Sequence, residues 1–220
     1  MARIPDEEVE RLKHEADLAG LVRASGVELR PHGTGGDLIG LCPFHDDHEP
    51  SLVVTPAKGL WHCLGACQVG GSAIDWIMRS RKVGFRHAIE VLRESVGAAG
   101  GTAPALPKRL ASPVSFEAQD WELMAQVIDY YHRRLKESPE ALAYLQKRGI
   151  GGNDAIDHFK LGYADRTLGL RLPDKQHKAG AAVRQRLEKL GLYRDTGREH
   201  FNGCVVFPVI DPATGHVTEV

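Results

Sequence analysis

Three cysteines and one histidine form two short clusters with the spacing of a structural zinc site. In each cluster, two ligand-type side chains lie three or four positions apart, so one tight turn can offer two donors to a single ion. The four residues are Cys42, His45, Cys63 and Cys67. Four protein ligands complete the tetrahedral coordination that Zn²⁺ favours and leave no position for a reactive water. The sequence therefore predicts one structural Zn²⁺, whose binding contributes to folding.

Two further histidines lie close enough to compete as ligands. His62 precedes Cys63 in a predicted strand, where neighbouring side chains point to opposite faces, so the pair cannot share one ion. Cys63 is favoured because it is the softer donor and belongs to the second cluster. His48 lies in a charged run, residues 46–50, that is typical of a solvated loop. The alternative, that these cysteines are ordinary buried residues, is less compatible with the paired spacing.

The elements that position these ligands follow from hydrophobic periodicity. One or two short helices are expected over residues 5–25. Four segments joined by Gly, Pro and Asp turns are typical of a small antiparallel sheet: residues 27–30, 37–41, 51–55 and 59–63. Ser72 and Asp75 form a variant of the capping box, which predicts a helix start after the second cluster. Apolar residues at helical spacing from Phe85 predict another helix.

A change in composition separates this region from the rest of the chain. Residues 97–115 are rich in Gly, Ala, Pro and Ser and have no amphipathic face, which predicts a flexible linker. We therefore expect a zinc-binding domain over residues 1–96 and a second domain over 116–220. The predicted fold class is α+β, with a small zinc-ribbon-like antiparallel sheet and flanking helices linked to a second α+β domain.

The second domain is expected to begin with a long amphipathic helix. Its apolar stripe runs from Trp121 to Leu135, and the Ser138-Pro139 pair predicts the start of another helix that ends at Gly149. A further helix is expected over residues 181–190. The apolar run 204–210 predicts one buried strand, and the turn-forming residues 211–215 predict a hairpin with the strand that follows.

The overall composition is that of a soluble globular protein. The chain has 220 residues, of which 42% are hydrophobic and 26% charged, and its formal net charge is −1. No signal peptide or membrane-length apolar run is present in the sequence, so we expect a cytoplasmic protein without a membrane partner. Four unevenly spaced cysteines do not form a disulfide framework. The balanced charge indicates that any contact with nucleic acid is local.

Local positive charge and one aromatic residue identify candidate contacts with nucleic acid. Four cations near a predicted helix junction could contact phosphates: Arg79, Arg81, Lys82 and Arg86. Lys58 and Trp61 flank the strand that leads into the second cluster, where a cation and an exposed ring suit single-stranded DNA. Two alternatives stay open, since Trp61 could pack in the small core and the cations could form an ordinary charged helix end.

The chain resembles bacterial and phage-type DNA primases in several segments. Four segments resemble the zinc-binding domain: residues 40–45 (GLCPFH), 50–54 (PSLVV), 61–67 (WHCLGAC) and 70–76 (GGSAIDW). Three later segments resemble the start of the primase RNA-polymerase domain, in the family's order: residues 144–150 (YLQKRGI), 159–163 (FKLGY) and 205–211 (VVFPVID). The resemblance implies an N-terminal zinc-binding domain followed by the first part of the polymerase domain.

The resemblance also implies a role in DNA replication. In that family the zinc domain helps to select single-stranded template and to start an RNA primer, while the polymerase domain holds catalytic metals on an acidic TOPRIM core. The implied partners are single-stranded DNA, a replicative helicase and a TOPRIM-containing segment. Arg148 matches a basic residue near nucleotide or template, although a cation in the last turn of a helix also compensates the helix dipole.

Three departures from the family pattern affect the predicted function. Cys63 and Cys67 enclose three residues where the usual primase has two, and residues 199–204 lack the arginines found there in primases. No TOPRIM glutamate or Asp-x-Asp cluster occurs in these 220 residues. Nucleotidyl transfer requires carboxylates that hold Mg²⁺, so we expect Mg²⁺ only with a downstream TOPRIM segment and assign no catalytic residue.

Three functions therefore stay open. The first is a DNA primase component that recognises template and supports primer initiation, with nucleotidyltransferase activity depending on the acidic core. The second is a non-catalytic, zinc-dependent DNA-binding accessory protein of a replication or mobile-element system. The third is a structural zinc scaffold that recruits a helicase or another partner through the predicted helices over residues 117–147.

Overall fold

The computed structural model describes residues 4–97 and 110–220. The described residues divide into two compact units, one formed by residues 4–97 with Leu110 and the other by Ala111–Val220, and each is described by itself. Most of the predicted linker, residues 98–109, lies outside the described residues. Its end is described and contributes Val114 to the core of the second unit. Helices and antiparallel strands occur in both units, which confirms the predicted α+β class.

The first unit combines short helices with an antiparallel sheet. Its helices are α1 (Asp6–Glu15), α2 (Leu18–Ala24), α3 (Ala73–Arg81) and α4 (Phe85–Gly97). The strands described here are β1 (Arg30–His32), β2 (Asp37–Gly40), β3 (Leu52–Thr55), β4 (Leu60–Cys63) and β5 (Gly70–Gly71), and they form a sheet in chain order. The first strand was predicted over residues 27–30, but β1 begins at Arg30 and lies closer to the turn at residues 33–36. The fifth strand was not predicted, because two glycines carry no hydrophobic pattern.

The central strands of this sheet have one buried and one outward face. Leu52 pairs with Cys63 and Val54 with Trp61, and these four side chains are buried. The alternating residues of the same strands point outward, where Leu60 is 48% exposed. Helices α3 and α4 contribute the large buried residues Trp76, Ile77, Ile89 and Leu92 to the core. The Asp75 carboxylate accepts hydrogen bonds from the backbone N–H and the hydroxyl of Ser72, which fixes the start of α3.

The second unit is built around a long helix. Its helices are α5 (Asp120–Lys136), α6 (Pro139–Lys147), α7 (Asn153–His158), α8 (Leu168–Arg171) and α9 (Lys178–Lys189). The strands in this unit are β6 (Gly162–Ala164), β7 (Cys204–Val206), β8 (Val209–Ile210) and β9 (Val217–Glu219), with β6 paired to β7 and β8 to β9. Helix α5 packs closely on β6, since a Cβ atom added to Gly162 would lie 2.7 Å from the Cβ of Tyr131.

Local signals placed several elements of this unit correctly, and one prediction was wrong. The Ser138 hydroxyl accepts a hydrogen bond from Ala141 N at the start of α6, and the predicted hairpin is formed by β8 and β9. The single buried strand predicted over residues 204–210 is instead two short strands. Pro208 has no N–H to donate and interrupts the ladder, and Phe207 and Val209 are about half exposed.

None of the helices in the described ranges combines the length and apolar character that crossing a membrane requires.

Candidate metal centre and nucleic-acid surfaces

The structure brings the four predicted ligand side chains together in the first unit. Their ligand atoms all lie within 4.8 Å of one another. The Sγ atoms of Cys42 and Cys67 are 3.6 Å apart, and Cys63 Sγ is 4.0 Å from His45 Nδ1. A tetrahedron with Zn–S bonds of about 2.3 Å has edges of about 3.8 Å. The donor types and their separations therefore fit a tetrahedral Zn²⁺.

Sheet topology explains why the two clusters meet. Strands β2 and β4 both pair with β3 in the antiparallel sense, so β2 and β4 run in the same direction. Leu52 is the register partner of Gly40 on one side and of Cys63 on the other. The turn after Gly40 and the turn after Cys63 thus leave the sheet at the same level. The pairing of β2 and β4 with the same strand, β3, therefore sets both ligand pairs side by side.

The competing histidines lie away from the cluster. His62 is exposed on the outward face of β4, as strand alternation predicts for the neighbour of Cys63. The His48 side chain is 84% exposed and lies 3.5 Å from the Asp46 carboxylate. Neither belongs to the group of ligand atoms in the described structure.

Contacts around the thiols favour different protonation states. Burial is the main cause that raises the pKa of Cys42 to about 12, with hydrogen bonds to the neighbouring thiols acting in the same direction. At Cys63, burial raises the pKa, but hydrogen bonds from Ser51, Cys67 and the Gly65 N–H together outweigh it and lower the pKa to about 7. Because zinc binds thiolates, metal binding must release protons from thiols that are protonated in its absence.

The first ligand turn is anchored to the core through an aromatic cluster. Phe44 lies between Cys42 and His45, and its ring packs against Trp61 and Trp76 with centroid separations of 5.4 and 5.1 Å. The Trp61 indole N–H donates to the Ser72 carbonyl at 3.0 Å. Packing of this kind holds the ligand turn against β4 and α3.

Trp61 is therefore not positioned to stack on bases. Its side chain lies on the buried face of β4, and the residue is only 2% exposed. The predicted stacking role is corrected by the alternation of the strand, which places Trp61 on the same side as Cys63. Lys58 is exposed at the end of a 3₁₀ turn, Pro56–Lys58, between β3 and β4, and stays available for phosphate contact.

The predicted cations of the helix junction lie where α3 gives way to α4. Arg79 and Lys82 are exposed, and Lys82 ends α3 in the left-handed region at φ 54°. Arg81 and Arg86 are half-buried and interact with other residues. Burial lowers the pKa of Arg81. The two exposed cations are thus better placed than the two arginines to contact a phosphate backbone.

The outward face of the sheet carries a groove that sequence reasoning missed. Its volume is about 390 Å³, and it is lined by Val53, Thr55, Leu60, Trp61, His62, Gly70 and Gly71. The register places Arg30, Ile39, Val53 and His62 in one cross-strand row on this face. Alternation in the predicted strands could have identified the outward residues, but the width of the sheet depended on the unpredicted β5.

In the second unit, Arg148 follows α6 and is exposed. Its guanidinium lies 5.3 Å from the centroid of the Tyr144 ring, so its charge is held at the end of the helix. Both the dipole role and a contact with nucleic acid are compatible with this position.

The arginine-poor segment 199–204 is surrounded by arginines from neighbouring elements. Arg166 donates to the Asn202 carbonyl at 3.4 Å, and Arg194 donates to the His200 carbonyl at 3.5 Å. Glu199 points into the core instead, accepting from the Tyr131 hydroxyl at 3.2 Å and from Gly169 N at 3.1 Å. Positive charge is therefore present beside this segment, although the segment itself does not supply it.

Two family models match the chain in consecutive regions. A CHC2 zinc finger model matches residues 4–102, and a model for the N-terminal domain of the DNA primase catalytic core matches residues 130–218. The first match contains the whole cluster of ligand side chains. The second match contains most of the second unit.

Curated relatives agree with these matches. The DNA primase of Synechocystis sp. is 32% identical over 189 residues, which are 83% of this chain and 29% of the relative. The DNA primase of Geobacillus stearothermophilus is 30% identical over 223 residues, 95% of this chain and 35% of the relative. The chain thus spans about a third of the length of these relatives. A crystal structure of the zinc-binding and RNA polymerase domains of Aquifex aeolicus primase is 26% identical, with a TM-score of 0.37, and the match covers 96% of this chain and 48% of that one.

Proposed function

Because the chain belongs to the DNA primase family, we propose that its first unit recognises single-stranded DNA template and supports the initiation of RNA primers during replication. Zn²⁺ bound by Cys42, His45, Cys63 and Cys67 holds the turns after β2 and β4 together and takes no part in nucleotide chemistry. The second unit contributes the start of the polymerase domain. This activity belongs in the cytoplasm, where the thiols that the metal requires stay reduced.

The outward face of the sheet is the surface that best suits a single strand. The observation that carries this assignment is the cross-strand row that includes Arg30 and His62. This row lies on the outward face of the sheet, opposite the buried face to which Cys63 belongs. An imidazole can stack on a base, and a guanidinium can pair with a phosphate. Leu60, 48% exposed at the groove, adds an apolar contact for a base. Lys58 extends the positive charge at one end of β4.

The chain covers about a third of its relatives, so the proposed role is a contribution to priming. Nucleotidyl transfer needs carboxylates that hold Mg²⁺. A TOPRIM-containing segment is the proposed partner that supplies them, and a replicative helicase is the proposed partner that delivers template. Arg148, Arg166 and Arg194 are the cations of the second unit that we assign to nucleotide or template phosphates.

Binding of a fluorescent oligodeoxythymidylate by the zinc-loaded chain tests the template surface. The double variant Arg30→Ala/His62→Ala should bind at least about tenfold more weakly, since stacking alone contributes about 1–3 kcal/mol per base. Arg23→Ala is the matched control, because Arg23 is an exposed cation on helix α2 and belongs to none of the strands. Equal affinities for the double variant, the control and the unmodified protein, at equal zinc content, would reject this surface.

The helix junction is tested separately through the dependence of binding on salt. Each phosphate contact with a single strand contributes about 0.7 to the slope of log affinity against log salt concentration. Arg79→Ala/Lys82→Gly removes the two exposed cations, and glycine accepts the left-handed backbone at position 82. A smaller salt-dependence slope in the double variant supports phosphate contacts at the junction between α3 and α4. An unchanged slope means that template binds at the sheet and not at this junction.

Residues 199–204 favour a second candidate, the non-catalytic DNA-binding accessory protein. Glu199 is buried and Asn202 and Cys204 carry no positive charge, so the segment offers phosphates little of its own. A primer-synthesis assay with template, nucleotides, Mg²⁺ and a primase TOPRIM segment distinguishes the two functions. Primer formation that depends on this chain supports the primase role. Template binding without primer formation supports the accessory role.

A further inference from the structure

Asp47 contacts three parts of the candidate metal centre at once. Its carboxylate accepts the Cys42 N–H at 2.7 Å and the Ser51 hydroxyl at 2.7 Å. The other carboxylate oxygen lies 3.3 Å from His45 Nε2. The Asp47 side chain is only 8% exposed. This carboxylate therefore lies behind the ligands, with its hydrogen-bonding capacity directed at them.

The contact with His45 determines which ring nitrogen is free to bind metal. Nδ1 is the nitrogen that faces the thiols, 4.0 Å from Cys63 Sγ, and Nε2 is the one that faces Asp47. A hydrogen bond from Nε2–H to the carboxylate keeps the proton on Nε2 and leaves the Nδ1 lone pair for the ion. The same bond fixes the plane of the ring and makes the imidazole a stronger donor.

The other two contacts extend this control to both cysteine clusters. The bond from Cys42 N–H fixes the backbone at the first ligand of the first turn. Ser51 connects Asp47 to the second cluster, because its hydroxyl oxygen lies 3.5 Å from Cys63 Sγ. One carboxylate thus links the backbone of one ligand, the ring of a second and a neighbour of a third.

Charge alone does not explain a carboxylate at this place. Three thiolates already exceed the charge of Zn²⁺ by one unit, so a further negative charge nearby repels the thiolates. Burial of a carboxylate also costs free energy unless its oxygens accept hydrogen bonds. The three donors that surround Asp47 offset that cost, and the benefit that remains is orientation of the ligands.

We propose that Asp47 is a positioning residue of the zinc centre, which orients the His45 ring with Nδ1 towards the ion and braces both ligand turns. The proposal rests on the zinc site of the proposed function and goes beyond its four ligands.

Zinc affinity of the full chain, measured by competition with a chromophoric chelator, tests this role. Asp47→Ala and Asp47→Asn should weaken zinc binding by about 10- to 100-fold, the usual effect of losing an outer-shell partner of a metal ligand. Asp46→Asn is the matched control, since the Asp46 side chain is 93% exposed and its charge pairs with His48, which is not among the four ligands. The control should bind zinc as the unmodified protein does.

A second readout separates positioning from general destabilisation. At saturating Zn²⁺, nitrogen-15 correlation spectra of the histidine rings should show Nδ1 bound to metal and a slowly exchanging Nε2–H for His45. Asp47→Asn should lose the slow exchange of that proton while Asp46→Asn keeps it. With Co²⁺ in place of Zn²⁺, the visible absorption bands should change in the Asp47 variants and stay constant in the control. If Asp47→Ala does not fold, Ser51→Ala replaces it as the test variant. Ser51→Ala should also weaken zinc binding relative to the unmodified protein.

The outcomes distinguish this proposal from the zinc site itself. Failure of the unmodified protein to bind zinc would overturn the zinc site. Normal zinc binding by the unmodified protein, with Asp47→Asn equal to Asp46→Asn in affinity and in the His45 spectrum, would overturn the role of Asp47 and leave the zinc site intact.

Discussion

The indole rings of Trp61 and Trp76 meet edge to face, with ring centroids 5.1 Å apart and ring planes at 88°. Trp61 lies on β4 two residues before the ligand Cys63, and Trp76 lies on α3. Their N–H groups donate to the Ser72 carbonyl and to the Ser25 hydroxyl. This pair fixes the strand that carries a candidate metal ligand to the helix behind it.

Replacement of Trp61 should therefore change stability and spare DNA binding. Trp61→Phe leaves the Ser72 carbonyl without its indole donor and opens a cavity, so the first unit should lose about 2 kcal/mol. Urea denaturation of the zinc-loaded chain measures the loss. Trp121→Phe is the control, because Trp121 is 48% exposed on α5 in the other unit and should cost less. Weaker oligonucleotide binding by Trp61→Phe, without a loss of stability, would contradict the buried role.

Gly65 should be essential because its neighbours leave no room for a side chain. A Cβ atom at this position would lie 2.7 Å from Ser51 Oγ and 3.1 Å from His45 Nε2. Gly65→Ala must displace one of these groups, so zinc affinity should fall by about tenfold or more. Gly35→Ala is the control, since no described atom lies within 4 Å of a Cβ placed there. Equal zinc affinity in the two variants would contradict the geometry of the second turn.

Removal of zinc should unfold the first unit and leave the second unit folded. The ligand turns follow β2 and β4 directly. Without the ion, the four ligand side chains no longer share a common partner, and few other contacts hold the two turns together. Hydrogen exchange with and without a strong chelator separates the units, with α3 and β4 reporting on the first and α5 on the second. Continued protection of β4 after confirmed loss of zinc would contradict the prediction.

The strands and ligands could be predicted because their signals are local. Cysteine spacing, turn residues and helix caps predicted the four side chains that the structure brings together, most of the sheet and the start of α3. Alternation placed Cys63 opposite His62, and the same rule carried one residue back places Trp61 on the buried side. The outward groove could not be predicted, because it depends on which strands meet across the sheet. The contacts of Asp47 lie within one irregular loop, residues 42–51, whose conformation no periodic pattern in the sequence specifies.

The stability of the second unit should depend on pH through Glu199. Burial is the main cause that raises the pKa of Glu199 from 4.5 to about 7, against hydrogen bonds from Gly169 N and Tyr131 that lower it. Between these values the folded protein binds a proton that the unfolded chain releases. The stabilising contribution is therefore complete below about pH 4.5 and is lost as the pH rises through about 7.

Glu199→Gln should remove this dependence, because glutamine stays neutral. Relative to the unmodified protein, its free energy of unfolding should rise with pH by roughly 2 kcal/mol between pH 5 and pH 8. The comparison at each pH cancels the pH dependence of the zinc site, which both proteins share. Glu117→Gln, an exposed carboxylate of the same unit, should show no such trend. A constant difference across the range would contradict a raised pKa for Glu199.

The alternation along β4 has a consequence for how this protein can diverge from its relatives. Trp61 and Cys63 face the core and the candidate metal centre, while Leu60 and His62 face outward. Mutations at the outward positions can accumulate without disturbing the fold, so the surface proposed to bind template can change while the scaffold beneath it is inherited unchanged. Selection can act on the two sides of a four-residue strand almost independently.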